Sequence, residues 1–309
     1  MTEEVYLGID TSCYTTSLFF MDRQGQKAAE ARRILKVKPG GCGLQQSEML
    51  YQHTRNLPEL MEEAAQGHKF TVKGIGVSAK PRPREDSYMP AFLAGLGFAR
   101  SLAALYHIPL WQISHQENHL EAAVWSAQGP DADRFLFLHA SGGTTDLLLA
   151  EKHVLKEVGC SLDLHAGQFV DRVGVALGLD FPAGPALEQL AAQHTEIIEI
   201  PVSVHKTSIS FSGPCTKVLR MIGSASASNI AAGVQWGLAE TFVRMLRNGA
   251  AEYHVKDVIL AGGVCANRWI RNHIEDKLAK RQIRVWMPDN RYSGDNAAGC
   301  AAYARQQGE

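Results

Sequence analysis

A chain of 309 residues, 45% hydrophobic and 20% charged, has the composition of a soluble globular protein with a large core in one large or two medium domains. A formal net charge of -1 leaves no global footprint for nucleic acid, so any such contact must be local, and no apolar run approaches the ~20 residues that cross a bilayer. Six cysteines, at positions 13, 42, 160, 215, 265 and 300, form no Cys-x-x-Cys pair and read as reduced thiols or small buried hydrophobes. The acidic start, Met1-Thr2-Glu3-Glu4, lacks the order of a secretory leader, and a cytoplasmic protein is expected.

Residues 5–9 read as a buried strand, residues 10–17 as a polar turn and residues 18–21 as a second strand closing a hairpin. The phrase returns at 136–149 with a constant offset of 129 positions: Ser12 answers to Ser141, Thr15 to Thr144 and Leu18 to Leu147. That period lies far outside the 20–50 residues of stacked repeats. It predicts an internal duplication, with domains at 1–130 and 131–309 facing each other, a boundary near Gln128-Gly129-Pro130, and the last helix returning to the cleft.

Between the hairpins, 50–65 and 91–107 have helical spacing, and 74–77 is a short strand leading into Lys80-Pro81-Arg82-Pro83-Arg84. Ile108-Pro109-Leu110-Trp111 then delivers the chain into a helix-forming stretch that begins near Ser114-His115-Gln116-Glu117-Asn118-His119. In the second half, Leu179-Asp180-Phe181-Pro182-Ala183-Gly184-Pro185 opens a helix carrying Glu188, Ser210-Phe211-Ser212-Gly213 reads as a loop, and 230–246 as a long helix. A buried strand at 258–260 ends in Ala261-Gly262-Gly263-Val264 ahead of a helix starting near Ala266-Asn267-Arg268. Gly294-Asp295-Asn296 caps a small-residue helix at 297–304, with Asp295 near its N-terminus.

His115 and His119, at i and i+4 on a helix, set two imidazoles on one face about one turn apart, within reach of one divalent metal. The bland alternative is a solvated face with two ordinary histidines, and the spacing alone leaves both open. The zinc-peptidase signature is excluded, because Gln116 rather than a glutamate follows the first histidine. The strand-to-helix turn at Gly262-Gly263 lets backbone approach a ligand and free amides meet phosphate, although such turns are often simple connections. With the hairpin tips at Ser12 and at residues 140–143, the layout matches the α/β actin, hexokinase and Hsp70 nucleotide-binding fold, in which tip amides embrace phosphates and the late turn takes adenosine. Lys80, Arg82 and Arg84, with Lys277, Lys280, Arg281 and Arg284, are the candidate nucleic-acid patches, although charge runs of this kind are usually solvated faces.

Seven phrases in order carry a resemblance that spans nearly the whole chain. They are Gly8-Ile9-Asp10-Thr11-Ser12-Cys13, His115 to His119, Ser141-Gly142-Gly143, Asp171 with the segment 177–185, Phe211-Ser212-Gly213, the segment 261–268, and Asp295-Asn296. Together they resemble the tRNA threonylcarbamoyladenosine transferase family, once labelled O-sialoglycoprotein endopeptidases. The resemblance implies a metal, iron or zinc, on His115, His119 and Asp295. It also implies an adenine nucleotide or acyl-adenylate on Ala140, Ser141, Gly142, Gly143, Asp171, Gly184, Glu188 and Asn267. His139 stands where some relatives carry a metal-binding tyrosine and reads as a fourth ligand or as a hydrogen-bonded histidine at a strand end. The implied reaction moves threonylcarbamoyl from its adenylate to N6 of an adenosine in tRNA, with accessory proteins of that pathway as partners.

The departures from the family lie at loop tips. Tyr14-Thr15-Thr16 replaces Asp-Glu-Thr, Lys80-Pro81-Arg82-Pro83 replaces Gly-Pro-Gly-Leu, Thr144 follows the glycine tip, and Leu164-His165 replaces Asp-Ala. No catalytic group is assigned; Glu117, Asp146 and Tyr14 are candidates to take over from the lost carboxylates. A divergent nucleotide- and metal-binding paralogue, with another carbamoyl-type substrate or a non-catalytic partner role, is the second reading, and a metallopeptidase the third.

Overall fold

The computed structural model describes residues 2–37, 44–152 and 154–309, and the expectation for Cys42 lies outside them. The other five cysteines are free thiols. Among the described residues, no helix is long and apolar enough to cross a membrane. The chain divides into two compact units, Met1–Ser126 together with Asp295–Glu309, and Ala127–Gly294.

The first unit runs β1 (Glu3–Asp10), β2 (Thr15–Asp22), β3 (Lys27–Ile34), α1 (Gln46–Ala65), β4 (Phe70–Lys80), α2 (Phe92–Tyr106), β5 (Leu110–Ser114) and α3 (His115–Ala127). Its sheet has the order β3-β2-β1-β4-β5. β1 pairs antiparallel with β2 and parallel with β4, as a continuous apolar run flanked on both sides requires. On α1 the buried residues Met49, His53, Leu57, Leu60 and Ala64 recur every three or four positions, the stripe of a helix lying on a core.

The second unit runs β6 (Arg134–Ala140), β7 (Thr145–Glu151), β8 (Val154–Cys160), α4 (Ala166–Ala176), α5 (Gly184–Ala191), β9 (Ser203–His205), β10 (Ser208–Ser210), α6 (Ser212–Leu219), α7 (Ala227–Tyr253), β11 (Asp257–Ala261), α8 (Arg268–Ala279) and β12 (Arg284–Trp286). Its main sheet, β12-β11-β6-β7-β8, repeats the first sheet strand for strand and direction for direction. This is the order that a duplicated hairpin and crossover predict. The segment 210–213, read as a loop, instead ends β10 and starts α6; Asp163 accepts from the amides of Phe211 and Ser212 and holds that helix start.

The last helix, α9 (Ala298–Gly308), departs from the expected domain limits: Asp295–Glu309 groups with the first unit, not with 131–294. Small residues on both sides decide this. A Cβ on Gly8 of β1 would run into the Ala297 carbonyl, one on Gly76 of β4 into the Cys300 carbonyl, and one on Gly299 into the Asn118 carbonyl of α3. The helix is thus laid backbone-close on β1, β4 and α3, where larger side chains would hold it off.

Candidate metal centre and nucleotide site

β5 passes into α3 without a loop, and a capping box fixes the first turn. The Glu117 carboxylate accepts from the Ser114 amide at 2.6 Å, and the Ser114 hydroxyl accepts from the Glu117 amide at 3.2 Å. The next amide, that of Gln116, donates to the Pro81 carbonyl at 3.2 Å, so the loop after β4 rests on the same helix start. His115 therefore sits on the first turn and His119 one turn further, with their Nε2 atoms 3.1 Å apart. Glu117 is occupied as a cap.

Asp295 completes the group, its Oδ1 lying 3.6 Å from each of the two Nε2 atoms. Within the capping segment Gly294-Asp295-Asn296 it is the Asn296 side chain that accepts from the Ala298 amide, at 2.9 Å, with Asp295 just ahead of α9. Asn118, on the face of α3 turned to α9, clips the two together, donating to the Asn296 carbonyl at 2.7 Å and accepting from the Cys300 amide at 2.8 Å. The Ala297 amide donates to Ser17 of β2 at 3.0 Å.

The donor set fits a metal. Ligands about 2.1 Å from one ion and roughly 90–110° apart lie about 3.0–3.4 Å from each other, close to the separations found. The chemistry agrees, with two imidazoles and one carboxylate converging at one point and all ligand atoms within 4.8 Å of one another. Burial alone would raise the Asp295 carboxyl, but the His119 hydrogen bond and the charge of both imidazoles hold it far below the usual carboxylate range. Burial lowers His119, aided by the neighbouring His115. For His115 burial also acts downward, yet Asp10 and Asp295 outweigh it and the ring is raised. Asp10, fully buried at the end of β1, lies 3.8 Å from His115 Nδ1 and takes a 2.8 Å hydrogen bond from Ser12. Asp10 thus stands behind the His115 ring at ion-pair distance, and its carboxylate is the main influence that raises that ring. Ser12, expected at a nucleotide, is fully buried with its hydroxyl turned to Asp10.

Two departures from the family pattern acquire physical content. Tyr14 packs against the apolar cluster of Leu35, Met49 and Ala91, so the position of the lost carboxylate is filled by a core-facing ring. In the Pro-rich loop, Arg84 pairs with Asp86 at 2.9 Å and Lys80 donates to the Arg84 carbonyl. At the second basic stretch, Lys277 lies 3.5 Å from Glu240 and Arg284 pairs with Asp257 at 2.8 Å. Several cations expected for nucleic acid thus have local carboxylate partners.

Within the second unit, one network joins most of the residues expected at a nucleotide. The β6–β7 tip is closed by the Ser141 amide on the Thr144 carbonyl at 2.8 Å, and the Gly167 amide of α4 donates to the Ser141 carbonyl at 3.0 Å. Gly262 stands beside this tip at φ +97°, where a Cβ would meet the Ala140 carbonyl, so glycine is required on two counts. Gly142, Gly143, Gly184 and Gly263 have open space where a side chain would be, leaving their backbone accessible. Asp171 accepts from the Ala183 amide at 2.8 Å, just before Gly184 opens α5. Burial pushes its carboxyl up, an effect this hydrogen bond opposes. On α5, Glu188 accepts from the Arg268 amide at 2.8 Å, tying α5 to the start of α8, which Asn267 caps through the Ile270 amide at 3.0 Å. The Asn267 amide group donates to Gln235 of α7 at 2.8 Å. His139 is buried on β6, opposite Asp146 and beside Ala261. Asp146 is itself buried on β7.

Sequence reading missed Asp163 and Asn118. Burial tends to raise the Asp163 carboxyl, but hydrogen bonds from Ser210, Leu164, Phe211 and Ser212 bring it down to about 2 from 3.8. A depressed carboxylate contributes stability that is full above the unfolded value and lost as pH falls through the folded one. Asp163→Asn should therefore destabilise the protein at neutral pH, the difference from wild type narrowing between about pH 4 and 2. Urea unfolding along that pH series checks it, and parallel curves at all pH values would refute it.

The description tRNA N6-adenosine threonylcarbamoyltransferase (TsaD) matches residues 34–302. The tRNA N6-adenosine threonylcarbamoyltransferase of Crocosphaera subtropica is 30% identical over 318 residues, covering 96% of this chain and 90% of that protein. Among solved structures, HypF of T. kodakarensis superposes with TM-score 0.65 at 15% identity, over 99% of this chain and 47% of that one. A ROK family glucokinase from Streptomyces griseus superposes with TM-score 0.57 at 12% identity, over 98% and 99%. These likenesses show the actin- and hexokinase-like fold. The match across most of the chain, on a fold with two like sheets and three metal-type ligands, makes this chain a member of the tRNA N6-adenosine threonylcarbamoyltransferase family.

Proposed function

We propose that the chain moves a threonylcarbamoyl-type group from an acyl-adenylate to N6 of an adenosine in tRNA, using one divalent metal, iron or zinc. The observation that carries this is the convergence of His115, His119 and Asp295, at separations of 3.1 and 3.6 Å, in a chain of that family. When bound, the ion supplies a positive centre that orients and polarises an acyl or carboxylate oxygen. The residues do the rest. His115 and His119 would present ring nitrogens to the ion, Asp10 stands 3.8 Å behind the His115 ring, and Asn118 fixes the segment that carries Asp295. The glycine-lined backbone at 140–143, 184 and 262–263 receives the adenylate phosphate, and the α8 start near Asn267, held by Glu188, takes the adenosine. Cytoplasmic tRNA is the acceptor, docked through whichever cations of the two basic stretches are free of local partners, with accessory proteins of the pathway supplied in trans.

The test is transfer of labelled threonylcarbamoyl from its adenylate to unmodified tRNA, with those accessory proteins present. Transfer that vanishes in His115→Ala supports the reading. No transfer by wild-type protein that still binds metal and nucleotide would reject it and leave a binding protein, in keeping with the carboxylates lost at Tyr14-Thr15.

A further inference from the structure

Gln235 is a glutamine on the apolar run of α7, 4% exposed beside Val234 and Leu238, and the chemistry above gives it no task. The seat of α7 turns its side chain to the start of α8. A Cβ on Gly233 would meet the Ile198 carbonyl and one on Gly237 the Ile200 side chain, so residues 198–200 cover that face of the helix closely. Two positions along a helix rotate a side chain by about 200°, which leaves Gln235 on the opposite face.

The orientation of the amides there follows from their partners. The Ile270 N–H, at 3.0 Å, can only donate, so Asn267 turns Oδ1 to it and Nδ2 to Gln235. Nδ2 also can only donate, so the Gln235 atom at 2.8 Å from it is Oε1. The neighbouring Arg268 amide is taken by Glu188 at 2.8 Å. Asn267 is thus held at both ends of its side-chain amide, and the donor it has left is the second Nδ2 hydrogen.

We propose that Gln235 is a positioning residue for the adenosine site, fixing the Asn267 amide so that an N–H meets the nucleoside. The inference rests on the adenosine reading above and narrows it. An N–H reads an acceptor, a ring nitrogen or a ribose oxygen, and not the exocyclic amine of adenine, which donates. It also accounts for a buried glutamine where leucine would pack without needing a partner. A second tie between the two helices, His273 Nε2 to Glu240 Oε1 at 2.7 Å, involves neither amide. Cutting it separates holding the helices together from aiming Asn267.

The experiment titrates the purified full-length protein with AMP alone by calorimetry, with urea unfolding for stability. Gln235→Met, similar in length and without an acceptor, should weaken AMP binding about 3- to 10-fold, the usual worth of one hydrogen bond. Gln235→Leu carries the test if the methionine variant does not fold. Asn267→Ser, which keeps a cap for the Ile270 amide, should lose at least as much, and adding Gln235→Met to it should cost little more affinity. The loss in Asn267→Ser should be as large for the monophosphate of purine riboside, which lacks the amine. Glu240→Ala, which cuts the other tie, should lower stability and leave AMP affinity unchanged. A folded Gln235→Met, or failing that Gln235→Leu, with wild-type affinity overturns the positioning role alone, as does an equal weakening by Glu240→Ala. A loss in Asn267→Ser that disappears with the amine-free nucleotide overturns the orientation assigned to the amide. Wild-type protein that binds no AMP, or Asn267→Ser with wild-type affinity, overturns the adenosine reading and this inference with it.

Discussion

Alanine in place of His115 or of Asp295 should lower metal affinity by more than about 100-fold, beyond the usual cost of losing an outer partner, and leave the protein folded. The two side chains have few structural duties: Asp295 caps no helix, and the turn that carries His115 is held by Ser114 and Glu117. Removing one of three ligands leaves two donors, too few to compete with water for a divalent ion, whereas truncating either side chain opens only a small space at a partly exposed point. Metal binding should also register as stability. Wild-type protein at a free metal concentration of 100 times Kd should gain about 2.7 kcal/mol, a gain absent in both variants. Elemental analysis together with urea unfolding, with and without metal, decides the matter; full occupancy in either variant would remove that residue from the ligand set.

Gly299→Ala should destabilise the protein by about 2 kcal/mol and weaken metal binding, although Gly299 touches no ligand atom. The added Cβ meets the Asn118 carbonyl and the Ala122 amide, backbone atoms of α3 that cannot rotate away. Overpacking of that kind costs about 3 kcal/mol, against which alanine offers about 1 kcal/mol of helix propensity over glycine. Part of the strain is relieved by lifting α9 from α3, which carries Asp295 away from the two histidines. Gly213→Ala is the control: it is also helical, has open space at the Cβ, and should be neutral or stabilising by up to about 1 kcal/mol. Equal stabilities for the two variants in urea would mean that α9 does not cross α3 at backbone contact.

Elements with a local cause, and the symmetry that comes from duplication, are legible in the order of residues alone. Apolar runs beside polar turns marked the β1–β2 and β6–β7 hairpins, and their offset of 129 positions anticipated two sheets of identical order. Helical spacing was enough to put His115 and His119 on one face, because i and i+4 is a property of the helix alone. The edge strands β3 and β12 were not legible: β3 is half charged and β12 is three residues long, so their pairing comes from the neighbouring strand and not from their own pattern.

The place of Asp295 is set by contacts between residues far apart in the chain. Its segment lies 176 positions from His119 and looked like the end of the second half, yet glycines at 8, 76 and 299 and the two-handed Asn118 draw it onto the first unit. Close packing of backbone on backbone has no local sequence signature, since a glycine read alone is as consistent with a turn as with a crossing. Glu117 is the opposite case, since it caps with Ser114 three residues before it, whereas buried His53 takes its partners, Thr16 and the Cys13 carbonyl, from far along the chain.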